Sequence, residues 1–422
     1  MSAPTATDQL VTNRSAVQSD DKVVIVPATS ELMYSPFSKA IFDDPYPVYR
    51  RLRDEAPVYR DPEDRWWVLS RFDDVSQALR DWETFSSKLG PAPENPDNDG
   101  RKYSVISMDP PRHDRIRGVL KGFFTPKAVA AMESALQAVV NRHLGRLRPG
   151  TTVDAMEAFA FSVPTDVIGD LLGVPHGDRA QLRVWWEAFL TREEGEVAMP
   201  AKAIEANRMI SEYIGELIER RRTDPGDDLI SIVLQATFDD AETGNERSLT
   251  AHEVLMFCNL LSAAGSETTQ KLISNGLVAL AEHRDQWHRI IQDRSLVPAA
   301  VNEALRYDTP SHWVARTLTR PIERHGISLD AGDWVLLLLG SANRDERRYD
   351  DPDRFIIGRP RGTDVYFGWG IHICLGQWLA RREAQLVFEY VAEKFPDYAI
   401  GARERVLTAT VRGYTSVEMT LR

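Results

Sequence analysis

The segment Phe367-Gly368-Trp369-Gly370-Ile371-His372-Ile373-Cys374-Leu375-Gly376 carries the most specific signal in this chain of 422 residues. It stands directly before a run from Leu375 to Lys394 that has the pattern of a helix. Its glycines allow a tight turn where backbone must pass close to a bulky group. A cysteine at the start of a helix lies near the positive end of the helix dipole, which favours the thiolate, and nearby amides can donate to its sulfur.

Three interpretations of Cys374 are open from this segment alone. The first is a buried structural cysteine in a turn. The second is a cysteine nucleophile with His372 as its base, because residues two apart in an extended loop lie on one face. The third is the axial thiolate ligand of a heme iron.

The composition excludes several classes of protein. Cys258 and Cys374 are the only cysteines, so a disulfide framework, a four-cysteine zinc site and a four-cysteine iron–sulfur cluster are excluded. The formal net charge of -12 argues against nucleic acid as a partner. The N-terminus has no secretory signal and no apolar stretch reaches about 18 residues, so we expect a cytoplasmic protein without a membrane anchor.

The remaining sequence predicts a helix-rich α+β fold. Residues 1–35 lack periodicity and predict a mobile arm, and residues 36–422 are expected to form a single domain. The middle of the chain is helical and includes a long helix over residues 250–280, whose apolar centre is typical of burial. Strands are predicted at Val314 to Leu318 and at Trp334 to Leu339. Because no regular alternation of strand and helix occurs, we expect several small sheets.

The ten-residue segment resembles the heme-binding loop of the cytochrome P-450 superfamily, which has Phe, Gly, Cys and Gly at these spacings. Ala264-Gly265-Ser266-Glu267-Thr268 resembles the oxygen-binding groove of the family's long central helix, and Glu303-Ala304-Leu305-Arg306 resembles its E-x-x-R helix. Asp351-Pro352-Asp353-Arg354-Phe355 resembles the segment whose arginine joins that pair. The match covers roughly residues 40 to 422 and is best with the bacterial soluble branch. It implies the mainly α cytochrome P-450 fold around a buried heme.

The resemblance implies heme b (iron protoporphyrin IX) with Cys374 as its axial thiolate ligand. The two propionates of a heme need cationic partners, for which arginine is well suited. The resemblance places four side chains at propionate positions: His113, Arg117, Arg316 and His372. The other implied heme contacts are Phe367, Gly368, Gly376, Ala264 and Gly265. The missing side chain of Gly265 is expected to make room for the flat ligand and for oxygen.

Two pairs of polar residues have a structural and a functional interpretation. A hydroxyl beside a carboxylate, as in Thr268 and Glu267, can relay protons to dioxygen, whereas a threonine can also bond back to its own helix. The resemblance favours the relay. Glu303 and Arg306 share a helix face and can pair with each other and with Arg354, or they can form an exposed pair of little energetic value. The resemblance implies a buried, structural trio.

The substrate pocket is placed only by analogy with the family. It would be formed by the loop from Leu89 to Val105, one wall of the long helix, the segment from Ser311 to Ala315, and the terminal hairpin. The plain alternative is that these apolar positions belong to the core. The predicted pocket residues are Leu89, Leu261, Ala263, Ala264, His312, Trp313, Val314, Thr410 and Val411.

These features predict a heme-thiolate monooxygenase that inserts one oxygen atom of dioxygen into an apolar organic molecule by hydroxylation, O-dealkylation or epoxidation. The alternatives are a peroxygenase driven by hydrogen peroxide, which has less need of Glu267 and Thr268, and a non-catalytic heme sensor or carrier. We expect a monomer, because nothing in the sequence suggests an oligomer. Electrons are expected from a separate ferredoxin with its NAD(P)H-dependent reductase. On this protein, the face on which the ferredoxin docks would be made basic by Arg112, Arg115 and Lys121.

Overall fold

The structure, a computed structural model, describes residues 32–93, 103–239, 244–360, 362 and 364–422. Residues Tyr34–Arg422 form one compact unit. Most of the predicted N-terminal arm lies outside the described residues. Tyr34 and Phe37 are nevertheless buried, and the Tyr34 amide donates to the Tyr59 hydroxyl at 3.2 Å. Packing therefore begins slightly before residue 36, the predicted start of the folded domain.

Helices dominate the described part of the chain, as predicted. The helices are α1 (Lys39–Asp43), α2 (Tyr46–Glu55), α3 (Phe72–Arg80), α4 (Arg112–Lys121), α5 (Pro126–Ala131), α6 (Glu133–Leu144), α7 (Ser162–Leu172), α8 (Arg179–Leu190), α9 (Ala201–Thr223), α10 (Leu229–Gln235), α11 (Ala251–Glu282), α12 (Arg284–Gln292), α13 (Val297–Tyr307), α14 (Leu339–Ala342) and α15 (Gln377–Lys394). Within these residues no helix combines the length and the apolar composition that crossing a bilayer requires.

The strands are short and fall into four separate sheets. They are β1 (Val58–Arg60), β2 (Trp67–Leu69), β3 (Phe85–Ser86), β4 (Thr152–Asp154), β5 (Thr237–Asp239), β6 (Glu246–Ser248), β7 (Val314–Leu318), β8 (Ile322–Arg324), β9 (Ile327–Leu329), β10 (Trp334–Leu337), β11 (Ala399–Glu404) and β12 (Ser416–Thr420). The largest sheet has the order β1-β2-β10-β7-β3, in which only β2 and β10 are parallel. The others are β11-β12-β4 and the hairpins β5-β6 and β8-β9. The predicted α+β class with small sheets is confirmed.

Helix α11 is the central element of the fold. Its 32 residues give a length of about 48 Å at 1.5 Å per residue. It begins with a capping box, in which Thr250 accepts from the Glu253 amide at 3.2 Å and Glu253 accepts from the Thr250 amide at 2.8 Å. All residues from 269 to 280 are buried. The predicted long, buried helix is therefore confirmed for its second half, whereas its first half keeps partly exposed positions.

A glycine allows three helices to approach one another closely. An ideal Cβ on Gly276 of α11 would lie 2.5 Å from the Phe388 ring of α15 and 3.1 Å from the Ala304 Cβ of α13. Real Cβ atoms do not reach 2.5 Å from a carbon atom, so any side chain at 276 would push these helices apart. Because α15 follows the cysteine loop directly, this crossing fixes the loop relative to α11.

We predict that Gly276→Ala lowers the free energy of unfolding by about 1–3 kcal/mol, because overpacking costs more than alanine gains in helix propensity. Gly215→Ala in α9 is the matched control, since an added Cβ there meets no atom within 4 Å. The control should be neutral or stabilise by up to about 1 kcal/mol. Urea unfolding of both variants measures the difference, and equal midpoints would contradict the close crossing.

Candidate functional site

The cysteine loop is closed by backbone hydrogen bonds. The Cys374 amide donates to the Phe367 carbonyl at 2.9 Å, and the Gly368 amide donates to the Val365 carbonyl at 2.8 Å. Gly368 and Gly370 both have a φ of 69°, in the left-handed region that favours glycine. An ideal Cβ on Gly370 would also lie 2.6 Å from the Leu79 carbonyl oxygen at the end of α3. The predicted tight turn is therefore present, and it packs directly against α3.

The surroundings of the two cysteines differ. Burial raises the pKa of the Cys374 thiol, while the Gly376 amide and the charges of Arg117 and Arg381 lower it. Cys258 is buried within α11, where burial, followed by the charge of Asp228, raises the pKa of its thiol far above the usual range. Amide donation and nearby cations stabilise a thiolate. Cys374 therefore has the surroundings of a thiolate ligand, and Cys258 does not.

A cavity of about 150 Å³ lies beside Cys374. Its walls come from distant parts of the sequence: α3, α11, the segment before β7, and the cysteine loop. Most of the wall residues are apolar. They are Leu79, Thr268, Leu272, Leu305, Pro310, Ser311, Val314, Arg316, Leu339, Tyr366, Phe367, Gly368, His372, Cys374 and Ala380.

Four nitrogen-bearing side chains lie close to Cys374, and two of them, Arg316 and His372, line this cavity. Arg316 is buried, donates only to the Ala315 carbonyl at 2.7 Å, and forms no ion pair among the described residues. The rings of His113 and His372 are 4.4 Å apart, and the Nε2 atoms of both are buried without a hydrogen-bond partner in the described structure. Burial and the charge of Arg316 lower the pKa of His372 to about 2. Arg117, half-buried in α4, donates to the Ile373 carbonyl.

These donors fit the heme that the sequence resemblance implies. Buried polar groups without partners are costly, so such a cluster indicates a ligand with anionic groups. Asp114 is the only described carboxylate bonded to any of the four side chains; its Oδ1 lies 2.8 Å from His113 Nδ1. The two propionates of a heme would supply the missing acceptors, and the cysteine sulfur lies at the same cavity.

Gly265 lies where α11 packs closely against a neighbouring helix. An ideal Cβ on this residue would collide with the side chain of Ile168 in α7, and neither Gly265 nor Ala264 lines the cavity beside Cys374. The hydroxyls of Thr165 and Ser266 are also 3.0 Å apart across the same two helices. The glycine therefore allows α7 to pack closely on α11. That the missing side chain also makes room for a flat ligand and for oxygen stays a prediction.

Thr268 and Glu267 have separate partners. The Thr268 hydroxyl lines the cavity and donates to the Ala264 carbonyl at 2.7 Å, which is the bond back to its own helix. The buried Glu267 carboxylate accepts from Gln270 and lies 3.2 Å from Lys271 Nζ. No hydrogen bond joins Glu267 to Thr268 in the part of the chain that the structure describes.

The E-x-x-R pair is buried and bidentate. Arg306 donates to both carboxylate oxygens of Glu303 at 2.8 Å. The third member is Arg359, whose Nε lies 3.0 Å from Glu303. The expectation that the Arg354 side chain joins the pair was wrong, since that side chain is 70% exposed and lies 3.6 Å from Asp351. Arg354 takes part through its backbone, because its carbonyl accepts from Arg306 and from Arg359.

The segment between Ser311 and Arg316 divides between the cavity and the core. Val314 and Arg316, two apart on β7, line the cavity, as alternation along a strand requires. His312 and Trp313 do not line it. Tyr49 OH lies 3.1 Å from His312 Nδ1, and Trp313 packs against Phe37. His312 and Trp313, both predicted pocket residues, therefore lie outside the wall of this cavity.

The other predicted pocket residues are not among those that line this cavity. Val411 forms an isolated β-bridge with Ser311, and the Thr410 carbonyl accepts from the His312 amide at 2.9 Å. Leu261 and Ala263 are partly buried on α11. Leu89 is 41% exposed, and residues 94–102 of its loop lie outside the described residues. Sequence reasoning missed the apolar wall residues Leu79, Leu272, Leu305 and Leu339, which have no local pattern that separates them from the core.

Comparison with known proteins agrees with this geometry. The family model for cytochrome P-450 matches residues 198–396. A putative cytochrome P-450 123 of Mycobacterium tuberculosis is 36% identical over 397 residues, which cover 93% of this chain and 97% of that protein. The cytochrome P-450 monooxygenase PikC of Streptomyces venezuelae is 35% identical, covering 85% of each chain. The crystal structure of CYP109E1 from Bacillus megaterium with testosterone is 30% identical, with a TM-score of 0.83, and the match covers 92% of this chain and 100% of that one.

We predict that Arg359→Gln destabilises the protein by about 3–5 kcal/mol, because it leaves part of the buried Glu303 charge without its partner. Arg354→Gln is the matched control, and its exposed side chain should change stability by no more than about 0.5 kcal/mol. Urea unfolding and the heme content per chain measure both variants. A larger loss of stability in Arg354→Gln than in Arg359→Gln would show that the Arg354 side chain joins the pair after all.

Proposed function

The chain belongs to the cytochrome P-450 family of heme-thiolate monooxygenases, and from this premise we propose that Cys374 is the axial ligand and that the substrate is an apolar organic molecule. The observation that carries the proposal is the cavity that Cys374 lines together with His372, whose buried Nε2 has no partner in the described structure, and with Arg316, which forms no ion pair among the described residues. Residues 36–422 would act as one heme-binding domain. When bound, the heme activates dioxygen, and its thiolate ligand favours cleavage of the O–O bond.

The protein side chains would hold the heme by charge and by backbone geometry. Arg316 and His372 would donate to the propionates from the β7 side and from the cysteine loop. His113 and Arg117 would donate from α4. Because the Nε2 atoms of His113 and His372 are buried without partners in the described structure, and buried Arg316 donates only to one backbone carbonyl, binding the propionates would relieve their desolvation cost. The Gly376 amide would donate to the sulfur and thereby tune its electron density.

Thr268 would hold a proton donor at the cavity wall. Its bond to the Ala264 carbonyl fixes the hydroxyl and leaves its oxygen lone pairs free to accept. Glu267, the preceding residue, lies on the buried side of the same helix and would exchange protons with Thr268. This pair supports oxygenation driven by dioxygen over a peroxygenase reaction, which has less need of protons.

The cavity wall favours an apolar substrate. Leu79, Leu272, Leu305, Val314 and Leu339 all line it. Burying apolar surface of a ligand against such walls is favourable by about 25 cal/mol per Å². The relative CYP109E1, solved with testosterone, supports a substrate of that polarity.

We propose a ferredoxin as electron donor, docked over the cysteine loop. A groove of about 580 Å³ lies on this side, and Trp378, 43% exposed, forms part of it. Of the three cations expected on the docking face, Arg112 pairs with Glu253 at 3.0 Å, Arg115 donates to the Asp239 carbonyl at 2.5 Å, and Lys121 is exposed. Arg381, which lines the groove, has no carboxylate partner among the described residues and would attract an acidic partner.

We predict that Cys374→Ala abolishes the thiolate-type band in the carbon monoxide difference spectrum, because it removes the sulfur ligand. Cys258→Ala is the control and should keep the band, since this thiol is buried in α11 away from the cavity. Retention of the band in Cys374→Ala would overturn the assignment of the ligand.

We also predict that Thr268→Ala increases the hydrogen peroxide released per NAD(P)H oxidised by several-fold, because a positioned proton donor typically contributes about 10²–10⁴-fold. The assay uses substrate-free enzyme with a ferredoxin and its reductase. Thr268→Ser keeps the hydroxyl and should stay close to the wild type. Equal peroxide yields from Thr268→Ala and the wild type would show that the Thr268 hydroxyl only bonds to its own helix.

A further inference from the structure

A buried lysine follows Glu267 by one helical turn and belongs to none of the motifs. Lys271 is 3% exposed, and its Nζ lies 3.2 Å from Glu267 Oε1. The same ammonium donates to the Tyr414 carbonyl at 2.6 Å. A lysine so deeply buried is rare unless it is paired, so these contacts define its place.

The aliphatic stem of this lysine packs against the backbone of the terminal hairpin, which consists of β11, β12 and the residues between them. An ideal Cβ on Gly413 would lie 2.5 Å from Lys271 Cδ and 2.7 Å from its Cβ and Cγ. Only glycine leaves room for the stem at this crossing. The ammonium is therefore fixed by contacts with residues 413 and 414, and it cannot swing away from Glu267 without moving the hairpin.

The same hairpin segment contacts two residues of the cavity wall. Val411 forms a β-bridge with Ser311, and the Arg412 amide donates to the Pro310 carbonyl at 2.7 Å. Pro310 and Ser311 both line the cavity. One continuous set of contacts thus runs from the cavity wall, through the hairpin and Lys271, to the Glu267 carboxylate.

We propose that Lys271 is a positioning residue for the reaction: held by the Tyr414 carbonyl, its ammonium allows the buried Glu267 to ionise and so to exchange protons with Thr268. A carboxyl group relays protons only if it can alternate between its charged and neutral forms. Buried without a cation, it stays neutral, because desolvation disfavours the charge. This inference rests on the proposed function, since it assigns Glu267 to proton delivery.

The alternative is that Lys271 only ties α11 to the hairpin. In that case its loss would loosen the hairpin whether or not residue 267 carries a carboxyl group. The two roles can be separated because Glu267 is the only described carboxylate that pairs with Lys271.

The test uses the heme-loaded protein and four variants: Lys271→Met, Lys271→Arg, Glu267→Gln and the double variant Lys271→Met/Glu267→Gln. Methionine keeps an unbranched stem against Gly413 and removes the ammonium. In infrared spectra of the resting enzyme, the difference between Lys271→Met and the wild type should show a new band of a protonated carboxylic acid. Subtracting the wild type removes the band of the buried Glu383 carboxyl, whose pKa is raised by burial. The band should be absent from the double variant and from Lys271→Arg. No such band in Lys271→Met, or its persistence in the double variant, would overturn the proposal.

The second readout is the peroxide released per NAD(P)H by the substrate-free enzyme. Lys271→Met should raise it several-fold, to the level of Glu267→Gln, and the double variant should add nothing further. Additive effects of the two substitutions would show that Lys271 acts only on the structure. Hydrogen exchange of residues 410–416 should increase in Lys271→Met and not in Glu267→Gln, and no increase in Lys271→Met would remove the link to the hairpin.

Gly413→Ala tests the same inference without changing a charge, and it serves where Lys271→Met fails to bind heme. Its added Cβ would displace the lysine stem. We therefore expect a carboxylic acid band that is weaker than the band of Lys271→Met. A spectrum identical to the wild type would count against the proposal. The infrared and exchange measurements need no turnover, so they would still decide on Lys271 if the protein oxidised no substrate.

Discussion

The buried pair of Glu303 and Arg306 is the interaction on which the geometry of the site depends. A buried ion pair is stabilising only if its remaining donors and acceptors are satisfied. Here the guanidinium of Arg306 also donates to the carbonyls of Asn343, Pro352 and Arg354. Those carbonyls belong to an irregular stretch without a sheet or helix of its own. The pair therefore gives this stretch a defined path towards the cysteine loop.

Two glycines allow neighbouring helices to pack closely against α11, which forms part of the cavity wall. Gly276 allows α13 and α15 to approach it, and Gly265 allows α7 to approach it from another direction. Close packing of this kind resists adjustment, because protein interiors have few voids to absorb a shift. As a result Thr268 faces the cavity while Glu267 and Lys271 are enclosed by their neighbours.

The site is rich in basic side chains, although the chain as a whole is acidic. The chain carries a net charge of -12, yet Arg316, Arg117 and two histidines converge beside Cys374. Their burial costs free energy, which Asp114 offsets only at His113 among the described residues. A bound heme with two propionates would reverse that cost, and cofactor binding would then be coupled to the stability of the folded chain. Glu267 and Lys271 are a smaller example, because each charge offsets the cost of burying the other inside α11.

The sequence by itself determined the features that depend on neighbours along the chain. The capping box at Thr250, the glycine turn before Cys374, the pairing of Glu303 with Arg306 and the strand at β7 all arise from residues within a few positions of one another. The tertiary structure alone decided which side of Gly265 is crowded, that Arg359 rather than Arg354 completes the buried pair, that His312 turns to Tyr49, and that Lys271 meets Tyr414. The physical reason is that these contacts join residues brought together only by packing, where close approach and desolvation outweigh any local pattern.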